Sequence, residues 1–149
     1  AVETISGNPR IIREAGTYTL ESGVTVTAIP AFHDEVQGAK RGSTLLFLLE
    51  AEGLRIAHLG DLGHLLTAEQ RKALAPVDVL MLPVGGFFTM DGLQAAHAAR
   101  LLKPKAVIPM HWGTFPVLAK DTSAFASHLA SVAPDVRLVS MTPGDSAAF

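Results

Sequence analysis

Three residues of types suited to metal chemistry stand just past the ends of apolar runs. Val24 to Ile29 leads through Pro30 into His33 and Asp34, Leu54 to Leu59 leads through Gly60 into Asp61, and Ala106 to Met110 leads directly into His111 and Trp112. In an open α/β sheet, ligands gather beyond the carboxyl ends of the strands. Neighbouring strands of this kind would therefore bring two imidazoles and a carboxylate to one place. Neutral imidazole and carboxylate are suitable donors for zinc, iron or manganese. Each residue alone has a plainer explanation. A histidine after a strand is often a hydrogen-bonded packing residue, and Gly60-Asp61 could be only a turn. Met110-His111-Trp112 has no such turn role, which makes His111 the strongest of the three. His64, on the same loop as Asp61, is a candidate for substrate contact. Gly85 and Gly86 follow a strand and, with Phe87 and Phe88, could line a pocket, although a turn requiring positive φ explains the glycines equally well. His58 falls inside a strand and reads as sheet packing. His97 and His128 fall in helical patterns and read as surface or core-edge residues.

Other chemistries fit poorly. The chain of 149 residues has no cysteine, which excludes disulfides, thiolate catalysis and cysteine-ligated zinc or iron–sulfur sites. It has no Gly-x-Ser-x-Gly elbow, no Walker-type phosphate loop and no Gly-x-Gly-x-x-Gly. Lys plus Arg is 12 against 14 for Asp plus Glu, without a basic block, so nothing points to nucleic acid or an anionic membrane. No apolar run has the roughly 20 residues of a membrane span, and the start lacks a basic region followed by an apolar stretch. A reducing, cytoplasmic compartment is the expectation that fits the missing cysteines.

The elements that must position these residues can be read from periodicity. A hydrophobic share of 48% and a mean hydropathy of +0.32 predict one well-buried domain over residues 1–149. The first third reads as β structure. Arg10 to Glu14 and Thr17 to Glu21 flank Ala15-Gly16, Val24 to Ile29 alternates and is stopped by Pro30, and residues 32–42 read as a loop. Thr44 to Leu49 is apolar on both faces, which predicts a central strand, and Glu52-Gly53 turns it into Leu54 to Leu59. Helix and strand then alternate. A capping-box pattern at Thr67 opens a helix to Leu74, Val77 to Leu82 is a strand, and Asp91 caps a helix to Leu102. Ala106 to Met110 is a strand, Asp121 opens a helix with Phe125, Leu129 and Val132 on one face, and Val136 to Ser140 closes the series. Hairpins followed by β-α-β-α-β predict an α/β class, with a mixed sheet covered by helices.

In combination, Ala31-Phe-His33-Asp34, His58-Leu-Gly-Asp61-Leu-Gly-His64, Leu82-Pro-Val-Gly-Gly-Phe87 and Ile108-Pro-Met-His111-Trp112 resemble the metallo-β-lactamase superfamily. The branch they are most similar to is that of bacterial metal-dependent hydrolases like the ascorbate-6-phosphate lactonases. The resemblance implies an αββα sandwich with a dinuclear centre at one edge. It implies that His33 is a ligand of the first metal, that Asp61 bridges both metals, and that His111 closes the coordination shell of the second metal. His64, Gly85, Gly86, Phe87 and Trp112 would be wall residues of the substrate pocket. The family's His-x-His-x-Asp-His signature, which supplies the other four ligands, does not occur in this sequence. In the family it lies upstream of a segment like Val2 to Pro9. The expectation is thus an incomplete domain, lacking the first strands and first metal motif.

The implied activity is metal-assisted hydrolysis, with metal-bound hydroxide attacking an ester, lactone, amide or phosphoester. The implied cofactor is two Zn2+ ions per complete site, with Mn2+ or Fe as variants, depleted in this chain because three ligands divided over two positions hold metal weakly. The expected partners are a small-molecule substrate and either a second copy or a complementing N-terminal segment, since the apolar faces of Val24 to Ile29 and Leu45 to Leu49 would lack part of their cover. The competing expectation is a catalytically inactive, metal-poor interaction module of the same fold.

Overall fold

The computed structural model describes residues 6, 7 and 9–149. Most of the Val2 to Pro9 stretch lies outside the described residues, and with it the alignment of the chain's start.

Seven strands form one sheet in sequence order: β1 (Gly16–Thr19), β2 (Thr25–Phe32), β3 (Ser43–Ala51), β4 (Leu54–His58), β5 (Val79–Pro83), β6 (Ala106–Met110) and β7 (Arg137–Leu138). β1 to β4 are antiparallel, and β4 to β7 are parallel. The change of direction follows from the connections. Glu52 (φ 51°) and Gly53 (φ 80°) make a two-residue hairpin between β3 and β4 with both residues left-handed, the turn that suits strand twist. The later strands are joined by α1 (Ala68–Leu74), α2 (Gly92–Leu102) and α3 (Ser123–Val132), and a helical crossover returns the chain parallel.

The helices share one face of the sheet. Leu48, Ala57, Leu80 and Val107 are cross-strand neighbours in one row. They belong to the same buried cluster as Leu74 of α1, Ala95, Ala99 and Leu102 of α2, and Phe125 and Leu129 of α3. The next row, Phe47, His58, Met81 and Ile108, projects to the opposite face and is only half-buried throughout. So β3 is central, as its sequence predicts, but only its Leu46 and Leu48 are fully buried, while Leu45, Phe47 and Leu49 are not. Among the described residues there is one sheet, so the second sheet of an αββα sandwich is not among them.

Three boundaries differ from the sequence reading. No strand forms over Arg10 to Glu14, because Ile11 and Ile12 are adjacent rather than alternating and cannot both face a core. β2 runs through Pro30 instead of stopping there. The β1 ladder ends at the Gly16–Ala28 pair, so the missing N–H of Pro30 removes no bond, and its carbonyl accepts from Gln70 Nε2 at 2.9 Å. β7 is shorter than Val136 to Ser140. Val139 N still donates to Val107 O at 2.9 Å, but the next ladder bond would need an N–H from Pro109.

Both α1 and α2 begin with a capping box, Thr67 with Gln70 and Asp91 with Gln94. Each glutamine also ties its helix to the β2 end of the molecule. Gln70 reaches Pro30, and Gln94 Nε2 donates to Glu35 Oε1 at 2.6 Å. The helix starts therefore brace the segment that carries His33.

Candidate metal centre

His33 follows β2 directly, and its backbone N–H donates to Gly42 O at 3.0 Å, closing the loop between them. Asp34, 3% exposed, holds that loop from inside. Its carboxylate accepts four backbone N–H groups, from Val36, Gly38, Lys40 and Arg41, at 2.7 to 2.9 Å. Burial pushes the Asp34 carboxyl up, but the four donors outweigh it and bring the pKa down to about 2. A carboxyl lowered on folding contributes stability that is complete above its unfolded value and is lost as pH falls through its folded one. The loop is therefore expected to loosen as pH drops from about 4 toward 2. Amide hydrogen exchange at Lys40 and Arg41 would show this, and Asp34→Ala should give the same loosening at neutral pH.

Asp61 stands one residue beyond the turn that ends β4. Gly60 is left-handed there (φ 52°), and its N–H donates to Nδ1 of His58 at 3.1 Å. His58 thus shapes the turn. Burial holds its imidazole pKa below the usual value, and the neighbouring His111 adds to this while Asp61 opposes it. His111 follows β6 and is itself left-handed (φ 56°). For a residue with a β-carbon this conformation is costly, and such residues collect at functional sites.

The three residues expected as donors line the same cavity. His33, Asp61 and His111 line one cavity of about 180 Å3 together with Phe88, Thr89 and Phe115. His111 Nδ1 lies 3.3 Å from Asp61 Oδ1, and both side chains are substantially exposed, at 39% and 45%. The donor types fit a divalent ion. The donor number does not complete a site: among the described residues, no group of three histidine, aspartate or glutamate side chains closes around a single point. Tetrahedral zinc takes at least three protein donors.

Two glycines make this convergence possible. A β-carbon on Gly63 would lie 2.4 Å from the carbonyl carbon of His33, and one on Gly85 would lie 1.9 Å from the carbonyl oxygen of His111. Gly85 is needed for this close approach and not for positive φ; in that turn it is Gly86 (φ 72°) and Phe87 (φ 55°) that are left-handed. Gly63 escapes a reading of the sequence, because only the packed structure shows what it touches. Phe88, the end of the loop read from the sequence as possible pocket lining, does line the cavity, whereas Thr89 and Phe115 escape that reading, since nothing in their spacing distinguishes them from loop residues.

The remaining expected wall residues are placed differently. Both nitrogens of His64 are engaged, Nε2 accepting from Phe32 N at 3.2 Å and Nδ1 with Leu65 O at 2.8 Å, and His64 does not line the donor cavity. Its contacts hold the end of β2. Trp112 packs against the hydrophobic core and donates to Pro109 O at 3.3 Å. Gly86 and Phe87 line an adjoining cavity with Phe88.

The comparisons with known proteins agree with this architecture. The beta-lactamase superfamily domain matches residues 1–111. The UPF0173 metal-dependent hydrolase of Nitratidesulfovibrio vulgaris is 44% identical over 125 residues, covering 84% of this chain and 51% of the relative. Among solved structures, a Thermotoga maritima protein assigned to the metallo-beta-lactamase superfamily as a zinc-dependent hydrolase has a TM-score of 0.76 at 32% identity, covering 92% of this chain and 74% of that one. A metallo hydrolase of Ignicoccus hospitalis has a TM-score of 0.72 at 31% identity, covering 90% and 57%. The chain spans about half the length of the curated relatives it matches, 51% for the first. By the family match, by the identity to these hydrolases and by the shared fold, the chain belongs to the metallo-β-lactamase superfamily.

Proposed function

We propose that this chain carries one side of the metal centre of a hydrolase acting on an ester, lactone, amide or phosphoester. The observation that carries the reading is the meeting of His33, Asp61 and His111 in one cavity, with Asp61 and His111 3.3 Å apart. A bound divalent ion, zinc foremost and manganese or iron as variants, supplies Lewis acidity and lowers the pKa of water. Asp61 and the two imidazoles supply donors to it. Asp61, the one carboxylate of the three and beside His111, would be the donor shared between ions. His111, in its left-handed turn, sets Nδ1 beside Asp61, and Phe88 and Phe115 line the same cavity.

The donor shortfall gives the competing reading, a metal-poor interaction module, its one specific support. The same reading of the chain includes a covering partner, a second copy or the further chain its relatives possess, over the half-buried row Phe47, His58, Met81 and Ile108. It also includes cytoplasmic residence; among the described residues no helix is long and apolar enough to cross a membrane. Two preparations test these points, the complete protein for hydrolysis and the 149-residue chain by itself for its state of association. Chelation should abolish hydrolysis of an activated ester and added zinc should restore it, while the 149-residue chain alone should sediment as an oligomer. Hydrolysis unaffected by chelation would overturn the metal reading, and a compact monomer would overturn the covering partner.

A further inference from the structure

A second, larger cavity of about 380 Å3 adjoins the donor cavity and shares Phe88 and Thr89 with it as a common wall. Lys40 and Arg41 also line it. Both sit on the loop that the buried Asp34 carboxylate holds through their own backbone N–H groups. The guanidinium of Arg41 lies over the ring of Phe88, 5.4 Å from its centroid. That distance is within cation–π range. Phe88 in turn meets Phe87 edge-on at 4.7 Å and Phe115 at 6.5 Å. Phe87 is 65% exposed and holds a left-handed backbone (φ 55°) at the mouth. An exposed aromatic group rimmed by polar residues, presented at some backbone cost, marks a ligand site.

The lining carries three carboxylates, Asp34, Glu35 and Asp91, and two cations, Lys40 and Arg41. The carboxylates keep their charge but already accept hydrogen bonds from the protein. Asp34 accepts four backbone N–H groups, Glu35 accepts from Gln94, and Asp91 caps α2. Among the described residues no ion pair includes Lys40 or Arg41. Two cations beside an aromatic face, without a carboxylate partner, suit a ligand that has an anionic group joined to a flat apolar body.

We infer that this cavity binds the non-reacting, anionic end of the substrate, with Arg41 on the anion and Phe88 under the flat part next to it. This inference rests on the hydrolase reading above, because the shared Phe88–Thr89 wall sets the anion beside the bond presented to His33, Asp61 and His111. It narrows the substrate class to small anionic esters, lactones or amides with an unsaturated or aromatic segment. Arg41 and Phe88 are specificity residues in this account and take no part in bond making.

Equilibrium dialysis of the complete, metal-loaded protein can test it with two probes of similar size. One is para-nitrobenzenesulfonate, an anion that is a poor ligand for divalent ions, and the other is neutral para-nitrobenzyl alcohol. Wild type should prefer the anion by about tenfold or more, a typical effect of one charge-assisted hydrogen bond. Arg41→Ala should remove that preference without changing metal content. Arg41→Lys should retain part of it, since the charge stays and the stacked plane is lost, and Phe88→Leu should weaken both probes. Equal binding of the two probes by wild type, or an unchanged preference in Arg41→Ala, would overturn the inference. Loss of the preference in Arg41→Ala from a wild type that takes up no metal and hydrolyses no ester would overturn the hydrolase reading alone and leave the anion site standing.

Discussion

Asp61→Ala in the complete protein is expected to abolish turnover and to lower bound metal together. Asp61 is the one carboxylate among the three donors, and its oxygen already lies 3.3 Å from His111 Nδ1. Removing it deletes the negative charge that offsets a divalent ion and leaves two neutral imidazoles. Asp61 is also 45% exposed, so its removal opens no core cavity and the fold should persist. Circular dichroism and the melting temperature should therefore remain close to wild type. Asp61→Asn should restore little, because an amide keeps the shape but not the charge. His128→Ala, half-buried on α3 and outside the donor cavity, serves as the control and should change neither metal content nor turnover. Equal activity of wild type and Asp61→Ala would refute the mechanism.

Gly85→Ala should be the most disruptive of the conservative changes. The added methyl would lie 1.9 Å from the carbonyl oxygen of His111, so β5's exit or the turn at His111 must shift. The obstacle is backbone, which cannot swing aside as a side chain can. Overpacking of this kind costs about 1–3 kcal/mol and occasionally more. Thermal unfolding should show that loss. The functional effect should exceed the stability effect, because a shift of about 1 Å in a reacting group can cost about a hundredfold in rate. Gly63→Ala should act likewise through His33, where the methyl would lie 2.4 Å from the carbonyl carbon. A melting temperature and a turnover rate both equal to wild type in Gly85→Ala would show that the turn at His111 is not fixed by this contact.

The alternating half of the fold was the more legible in the sequence. Thr67 and Asp91 announced their helices because a capping box is a local pattern, complete within four residues. Glu52-Gly53 announced a hairpin for the same reason. The errors were tertiary in origin. Pro30 stops a strand only where its N–H is wanted, and whether β1 reaches that far depends on pairing that residues near Pro30 do not encode. Pro109, buried in β6, shortened β7 from the other side of a ladder. The placement of His33, Asp61 and His111 in one cavity was legible because each follows an apolar run. The walls around them were legible only at Phe88, which ends the Gly85 to Phe88 loop. Thr89 and Phe115 come from two loops far apart in sequence, and His64, beside Asp61 in the chain, turns instead toward β2.

The apolar character of β3 on both faces predicts cover on both sides, and among the described residues α1 to α3 supply it on one. The row from Phe47 to Ile108 on the other face is half-buried.

The central claim is that His33, Asp61 and His111 are donors to one metal centre. Elemental analysis of the complete protein, purified with zinc present, tests this most directly when wild type is compared with His33→Ala and His111→Ala. The account predicts roughly two metal ions per protomer in wild type and a clear loss in each variant, as expected for a dinuclear hydrolytic site. Metal content in either variant equal to that of wild type would contradict it.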